Sequence, residues 1–85
     1  MNSNKQNLIN KIKYRSQYRG TKEMDIFVNS FVNKIISDLY FDELLQLNEL
    51  INLNDEEIID ISIGKIQTEI DQNIINRLID FKKKY

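Results

Sequence analysis

Seven apolar side chains between residues 24 and 36 recur at the spacing of an α-helix. They are Met24, Phe27, Val28, Phe31, Val32, Ile35 and Ile36. Because they occupy positions i, i+3, i+4, i+7, i+8, i+11 and i+12, all seven fall on a single helix face. This stripe constrains the fold more than any other feature, and it predicts a helix over residues 21–37. Gly20 is its predicted N-cap, and Glu23 and Asp25 suit the positive end of the helix dipole.

Helical patterns also cover most of the remaining chain. There is no Pro and there are only two Gly among the 85 residues, so helices can run without interruption. Apolar residues spaced about one turn apart predict helices over residues 4–18, 40–52 and 67–84. Asn54 or Asp55 is expected to cap a further short helix that starts with acidic residues.

Residues 58–63 carry a competing signal. Ile59, Ile61 and Ile63 alternate with other residues, which on periodicity alone is typical of a β-strand. A single strand in an otherwise helical domain would have nothing to pair with, so we predict a short helix here. The sequence therefore predicts an all-α bundle of about five short helices, in one domain over residues 1–85. The predicted core includes Phe27, Phe31, Leu44, Leu47, Ile74 and Leu78.

The composition excludes most kinds of catalysis. There is no Cys, which excludes disulfides, a thiolate nucleophile and Cys-based metal sites. There is no His, which removes the usual general base near neutral pH. The acidic pairs Asp42/Glu43 and Glu56/Glu57 occupy adjacent positions, which do not face each other on a helix. We therefore predict a non-enzymatic protein with no catalytic residues, no metal site and no stably bound cofactor.

Charge is distributed unevenly along the chain, although the net charge is only −1. Residues 1–22 carry six basic side chains and no acid, whereas residues 38–71 carry ten acids and one Lys. Such asymmetry suits an electrostatically steered partner. The basic first helix, with Tyr14 and Tyr18, also fits phosphate contacts. Nucleic-acid binders are usually strongly basic domains, however, so we expect no nucleic acid partner.

Residues 14–25 concentrate Arg and Tyr side chains around a glycine, at the predicted junction of the first two helices. A tight turn accounts for the glycine and for the acids that follow it. It does not account for the arginines and tyrosines, which are enriched at the centres of protein interfaces. The candidate partner-binding residues are Arg15, Tyr18, Arg19, Gly20, Glu23 and Asp25.

The same stretch resembles the signature of the SdhE-like FAD assembly factors, the succinate dehydrogenase assembly factor 2 family. That family shows Arg-Gly-x-x-Glu-x-Asp where its first two helices meet, and Arg19, Gly20, Glu23 and Asp25 match every fixed position. The amino-acid sequence of residues 14–25 is similar to the sequences of the alphaproteobacterial branch of the family. The likeness extends to Asp42-Glu43-Leu44, Leu50-Ile51 and Asn54-Asp55. The chain departs from the family pattern at Glu56, usually Pro, and at Ile61, usually Trp.

The resemblance implies a monomeric five-helix protein of the bacterial cytoplasm. Such proteins bind the flavoprotein subunit of succinate dehydrogenase, and in some bacteria that of fumarate reductase. They promote covalent attachment of FAD, the cofactor of the partner, to a histidine of that subunit. By this resemblance Arg19 would donate to carboxylates or carbonyls of the partner, and Glu23 would pair with a basic group or hold Arg19 in place.

Two alternatives remain at this stage. One is a nucleic-acid-binding helical domain that uses the basic first helix, and the other is a generic protein-interaction adaptor. No segment approaches the ~20 apolar residues that span a bilayer, so we expect no membrane insertion. The first residues lack the apolar stretch of a signal peptide.

Overall fold

The computed structural model describes residues 3–17 and 19–85, and these residues form five α-helices. The helices are α1 Ser3–Arg15, α2 Lys22–Ile35, α3 Phe41–Ile51, α4 Asp55–Ser62 and α5 Gln72–Lys84. A 3₁₀ turn over Ile36–Asp38 follows α2 directly. The described ranges contain no β-strand, which confirms the predicted all-α fold. Tyr18, one of the candidate partner-binding residues, lies outside the described residues.

The start of α2 differs from the prediction. Thr21, and not Gly20, is the N-cap, and its hydroxyl oxygen accepts a hydrogen bond from the Met24 backbone N–H at 3.2 Å. The physical reason is that a threonine side chain supplies an acceptor for one of the unpaired N–H groups of the first turn, whereas glycine has none. Gly20 therefore lies one position before the cap.

The segment with alternating isoleucines is helical, as predicted. Asn54 caps α4, and its side-chain oxygen accepts a hydrogen bond from the Glu57 backbone N–H at 2.8 Å. Ile58 and Ile61 lie three residues apart and are both buried, so they share the inner face of α4. Ile63 is 58% exposed and follows the end of the helix. Of the three alternating isoleucines, Ile61 is therefore buried, Ile59 is partly buried and Ile63 is exposed, so they do not form one face as they would in a strand.

The last helix is shorter than predicted. Residues 63–71 form turns and irregular backbone, and α5 begins only at Gln72, five residues later than expected. Gly64 has a φ of +77°, a left-handed conformation typical of the residue that ends a helix. Asp71 then caps α5, and its side chain accepts a hydrogen bond from the Asn73 backbone N–H at 3.1 Å.

All five helices contribute to a single cluster of buried apolar side chains. The predicted core residues Phe27, Phe31, Leu44, Leu47, Ile74 and Leu78 are all buried in it. On α5, Phe81 packs beside both phenylalanines of α2, with ring centroids 5.6 Å from Phe27 and 5.5 Å from Phe31. Ile12 anchors α1 in the same core. The core thereby fixes α1 and α2 relative to each other, and with them the junction between the two helices.

Candidate functional site

Ser16 links the end of α1 to α2 at the junction between the two helices. This side chain is fully buried, and its hydroxyl donates toward the Lys13 carbonyl at 2.9 Å. The same hydroxyl lies 3.2 Å from Oδ1 of Asn29 on α2. A buried hydroxyl needs such partners, because an unpaired one costs free energy. Ser16 therefore holds the end of α1 against α2.

Gly20 is exposed at this junction and adopts a φ of +120°. An L-amino acid rarely adopts this conformation, so the turn requires glycine for its backbone. Apart from its two chain neighbours, no described residue places a heavy atom within 4 Å of a Cβ atom built at Gly20. None of those residues therefore fills the space in front of Gly20, and another molecule can approach the backbone there closely.

Arg19 directs its side chain into the protein. Its Nε donates to Oδ1 of Asp55 at 3.0 Å, and its two terminal nitrogens donate to the carbonyl oxygens of Ile51 and of Leu53, the latter at 2.7 Å. Three of its five N–H donors are thus used within the chain. The side chain is only 10% exposed. The resemblance predicts a guanidinium that faces a partner, whereas in the structure it faces the loop between α3 and α4.

The loop after α3 explains why an arginine fits there. The last carbonyl groups of a helix have no partner inside the helix, and cations near this end also suit the helix dipole. The planar guanidinium reaches the carbonyl oxygens of Ile51 and Leu53 and the carboxylate of Asp55 at once. Arg19 therefore connects the α1–α2 junction to the end of α3 and the start of α4.

Two other candidate residues also bond within the chain. The carboxylate of Asp25 accepts a hydrogen bond from the backbone N–H of Arg19, which closes the turn around Gly20. Arg15 is exposed, and its guanidinium donates to the side-chain oxygen of Asn52 at 3.0 Å. The charged groups of the junction are therefore ordered by local and long-range contacts.

Glu23 differs from these residues because its carboxylate points to solvent. It lies in the first turn of α2, and within the described part of the chain it forms no hydrogen bond or ion pair. It does not hold Arg19, since Asp25 binds the Arg19 backbone and Asp55 binds its side chain. Of the motif's charged groups, Glu23 is the one that is fully available to another molecule.

Sequence reasoning missed the role of Asp55. From its position in the sequence, Asp55 is predicted as a possible helix cap, but the N-cap of α4 is Asn54. Its ion pair with Arg19 joins residues 36 positions apart, so no local pattern could reveal it. The one available signal was that Asp55 belongs to the part of the sequence that resembles the assembly factor family.

The described residues offer little for other chemistry. Among them, no group of three or more acidic, His or Cys side chains is arranged to hold a metal ion. Within the same residues, every helix is too short or too polar to cross a membrane. Fold and site together define a small all-helical protein in which an exposed glycine, Gly20, and an exposed acid, Glu23, lie three residues apart in sequence at the junction of α1 and α2.

We compared the chain with models of known protein families to identify the family to which it belongs. The family model described as flavinator of succinate dehydrogenase matches residues 10–82. The chain belongs to this family, which confirms the resemblance found in the sequence. The family's role makes the chain an assembly factor for the flavinylation of succinate dehydrogenase, not a classical enzyme, and implies contact with the succinate dehydrogenase flavoprotein. No curated protein and no solved structure gives a significant match.

Proposed function

We propose that this protein binds the flavoprotein subunit of succinate dehydrogenase and promotes covalent attachment of FAD to it. The observation that carries the proposal is the corner formed by Gly20 and Glu23. It combines open space over a glycine backbone with a free carboxylate, and it coincides with the motif of the family to which the chain belongs. We propose Gly20 and Glu23 as the centre of the contact with the partner.

The mechanism that fits this site is conformational. The chain has no His and no Cys, so it offers neither of these side chains as an acceptor for flavin, and the acceptor is expected on the partner. Binding would favour a form of the subunit in which FAD and its acceptor residue are close and correctly oriented. The assembly factor supplies binding energy for that form, while the bond forms entirely on the subunit.

Glu23→Ala tests the contact directly. We expect a strong loss of covalent FAD on the co-expressed flavoprotein subunit, because the free carboxylate is removed from the contact. The free energy of unfolding should fall by only about 0.3–1 kcal/mol, the value of an exposed acid near a helix N-terminus. In-gel flavin fluorescence measures the first quantity and urea denaturation the second.

Glu49→Ala is the matched control, since Glu49 is an exposed acid on α3. This variant should support flavinylation at the wild-type yield. A Glu23→Ala variant that flavinylates the subunit as well as Glu49→Ala would contradict the proposed contact.

We also expect the purified protein to contain no stoichiometric metal and no covalently bound flavin. The reason is that the sequence provides no Cys or His to ligate a transition metal or to carry a cysteinyl or histidyl flavin. Elemental analysis and flavin fluorescence after denaturation check the two parts of this prediction. Zinc or iron at one ion per chain, or a flavin adduct that survives denaturation, would show it to be wrong.

A further inference from the structure

We infer that Asp55 is a positioning residue for the partner-binding corner and that it acts through Arg19. This inference rests on the proposed function, because it concerns how the same corner is held in a shape that the flavoprotein subunit can bind. It assigns the motif arginine an inward role. The surface that contacts the partner is then formed by Gly20 and Glu23. The Arg19 guanidinium stabilises that surface through its bonds to the interior of the protein.

The first step of the argument is the geometry of the ion pair. Arg19 Nε lies 3.0 Å from Asp55 Oδ1, and the two side chains are 10% and 31% exposed. Asp55 is the only acid among the described residues that forms an ion pair with this guanidinium. Hydrogen bonds between charged groups that are partly shielded from water are stronger than those between exposed ones. Asp55 is therefore the main electrostatic reason for Arg19 to stay inside.

The second step concerns Gly20. Glycine has no intrinsic preference for one backbone conformation, so its φ of +120° must be imposed by its neighbours. Beyond its two chain neighbours, no residue that the structure describes packs a side chain over this position, since none has a heavy atom within 4 Å of a Cβ atom built there. The restraints that remain are Thr21, which caps α2 on one side, and, on the other side, the Asp25 carboxylate at the Arg19 backbone N–H and the anchored Arg19 side chain. Loss of the side-chain anchor would leave Asp25 as the restraint on that side, and the backbone at Gly20 could then sample more conformations.

The third step separates this role from direct recognition. Three donors of Arg19 already bond to Asp55 and to the carbonyl oxygens of Ile51 and Leu53. Releasing them to reach a partner would leave the carbonyl groups of Ile51, at the end of α3, and of Leu53, in the following loop, without these donors, and it would separate an ion pair. Arg19 thus contributes to binding by ordering the corner in the free protein, which reduces the entropy cost of association.

The experiment compares Asp55→Asn with Glu56→Gln, using the full-length chain and the FAD-free flavoprotein subunit. Both substitutions remove one negative charge from the first turn of α4 without changing side-chain size. Glu56 is exposed and forms no hydrogen bond or ion pair among the described residues, so its variant controls for net charge and for the helix dipole. Asp55→Glu is included as the conservative variant, which restores the charge.

Affinity for the subunit is measured by calorimetry at a temperature at which circular dichroism shows every variant to be fully folded. Asp55→Asn should bind roughly tenfold more weakly than wild type, the size expected for loss of one charge-assisted hydrogen bond. Glu56→Gln should bind within about twofold of wild type, as is usual for surface substitutions. Asp55→Glu should regain part of the lost affinity.

Amide hydrogen exchange in the free protein provides a readout that does not depend on the partner. Asp55→Asn should speed exchange around residues 19–25 and 51–55, while the buried parts of α2 and α5 keep their protection. A role in global stability alone would instead raise exchange throughout the core and leave the affinity of the folded protein unchanged. That pattern would overturn the inference.

The remaining outcomes distinguish the inference from the proposed function. If the wild-type chain binds the subunit and Asp55→Asn binds equally well, the proposed function stands and the positioning role is wrong. If the wild-type chain neither binds the subunit nor increases its covalent FAD, the proposed function fails and the inference fails with it.

Discussion

Replacing Phe31 by alanine is expected to lower the free energy of unfolding by about 3–5 kcal/mol, the usual cost of deleting a fully buried aromatic ring. Phe31 is 2% exposed and lies at the centre of the apolar face of α2. Its ring packs against that of Phe81, with centroids 5.5 Å apart. Domains are stable by only about 5–15 kcal/mol in total. A domain of 85 residues that loses about 3–5 kcal/mol of this can therefore be largely unfolded.

Urea denaturation followed by circular dichroism measures this loss. Phe41→Ala is the matched control, because it deletes the same side chain at a position that is 40% exposed. We expect a clearly smaller loss there. Equal losses for the two variants, or a Phe31→Ala protein as stable as wild type, would show that the core is not organised around α2 as described.

Gly20→Arg is expected to abolish covalent attachment of FAD to the co-expressed flavoprotein subunit. A long cationic side chain would occupy the open space in front of the glycine, where we propose that the partner approaches. The φ of +120° adds a backbone cost of about 1–3 kcal/mol for any residue with a Cβ atom, so some loss of stability accompanies the loss of function.

Two comparison variants distinguish the effect of backbone strain at residue 20 from the effect of a side chain that blocks the partner. Gly20→Ala introduces the same backbone strain with only a methyl group, so it should retain more flavinylation than Gly20→Arg. Gly64→Arg places the same large side chain at another exposed glycine with a positive φ of +77° and open surroundings. That variant should lower the melting temperature but keep flavinylation. If Gly64→Arg and Gly20→Arg lost activity in proportion to their melting temperatures, the corner would have only a structural role.

The sequence predicted where the motif residues lie in the fold, but not which way their side chains face. The motif placed Arg19, Gly20, Glu23 and Asp25 at one helix junction, and the structure has them there. It did not reveal that Glu23 faces solvent while Arg19 faces inward. Which way a long side chain turns depends on acceptors that other parts of the chain bring to it.

The ends of the helices, too, could be predicted from the sequence only in part. Thr21 is the N-cap of α2, and its residue type was a sufficient signal, because threonine is among the preferred caps. The start of α5 carried a comparable signal in Asp71, because aspartate is also a preferred cap, but the apolar spacing pointed to an earlier start. Ile70 continues the apolar spacing of that helix into a segment that is not helical. Apolar side chains in loops can pack against the core as well as those in helices do, so periodicity alone could not locate the boundary.

The helical fold class, the apolar face of α2 and the family signature at residues 19–25 could all be predicted from the sequence. Each of these depends on residues close together in the chain, where helical spacing and motif spacing are directly visible. The bonds from Arg19 to Asp55, to the end of α3 and to the following loop are visible only in the folded protein. That contact joins positions 36 residues apart, and it exists only because packing of the shared core brings α1, α3 and α4 to the same corner.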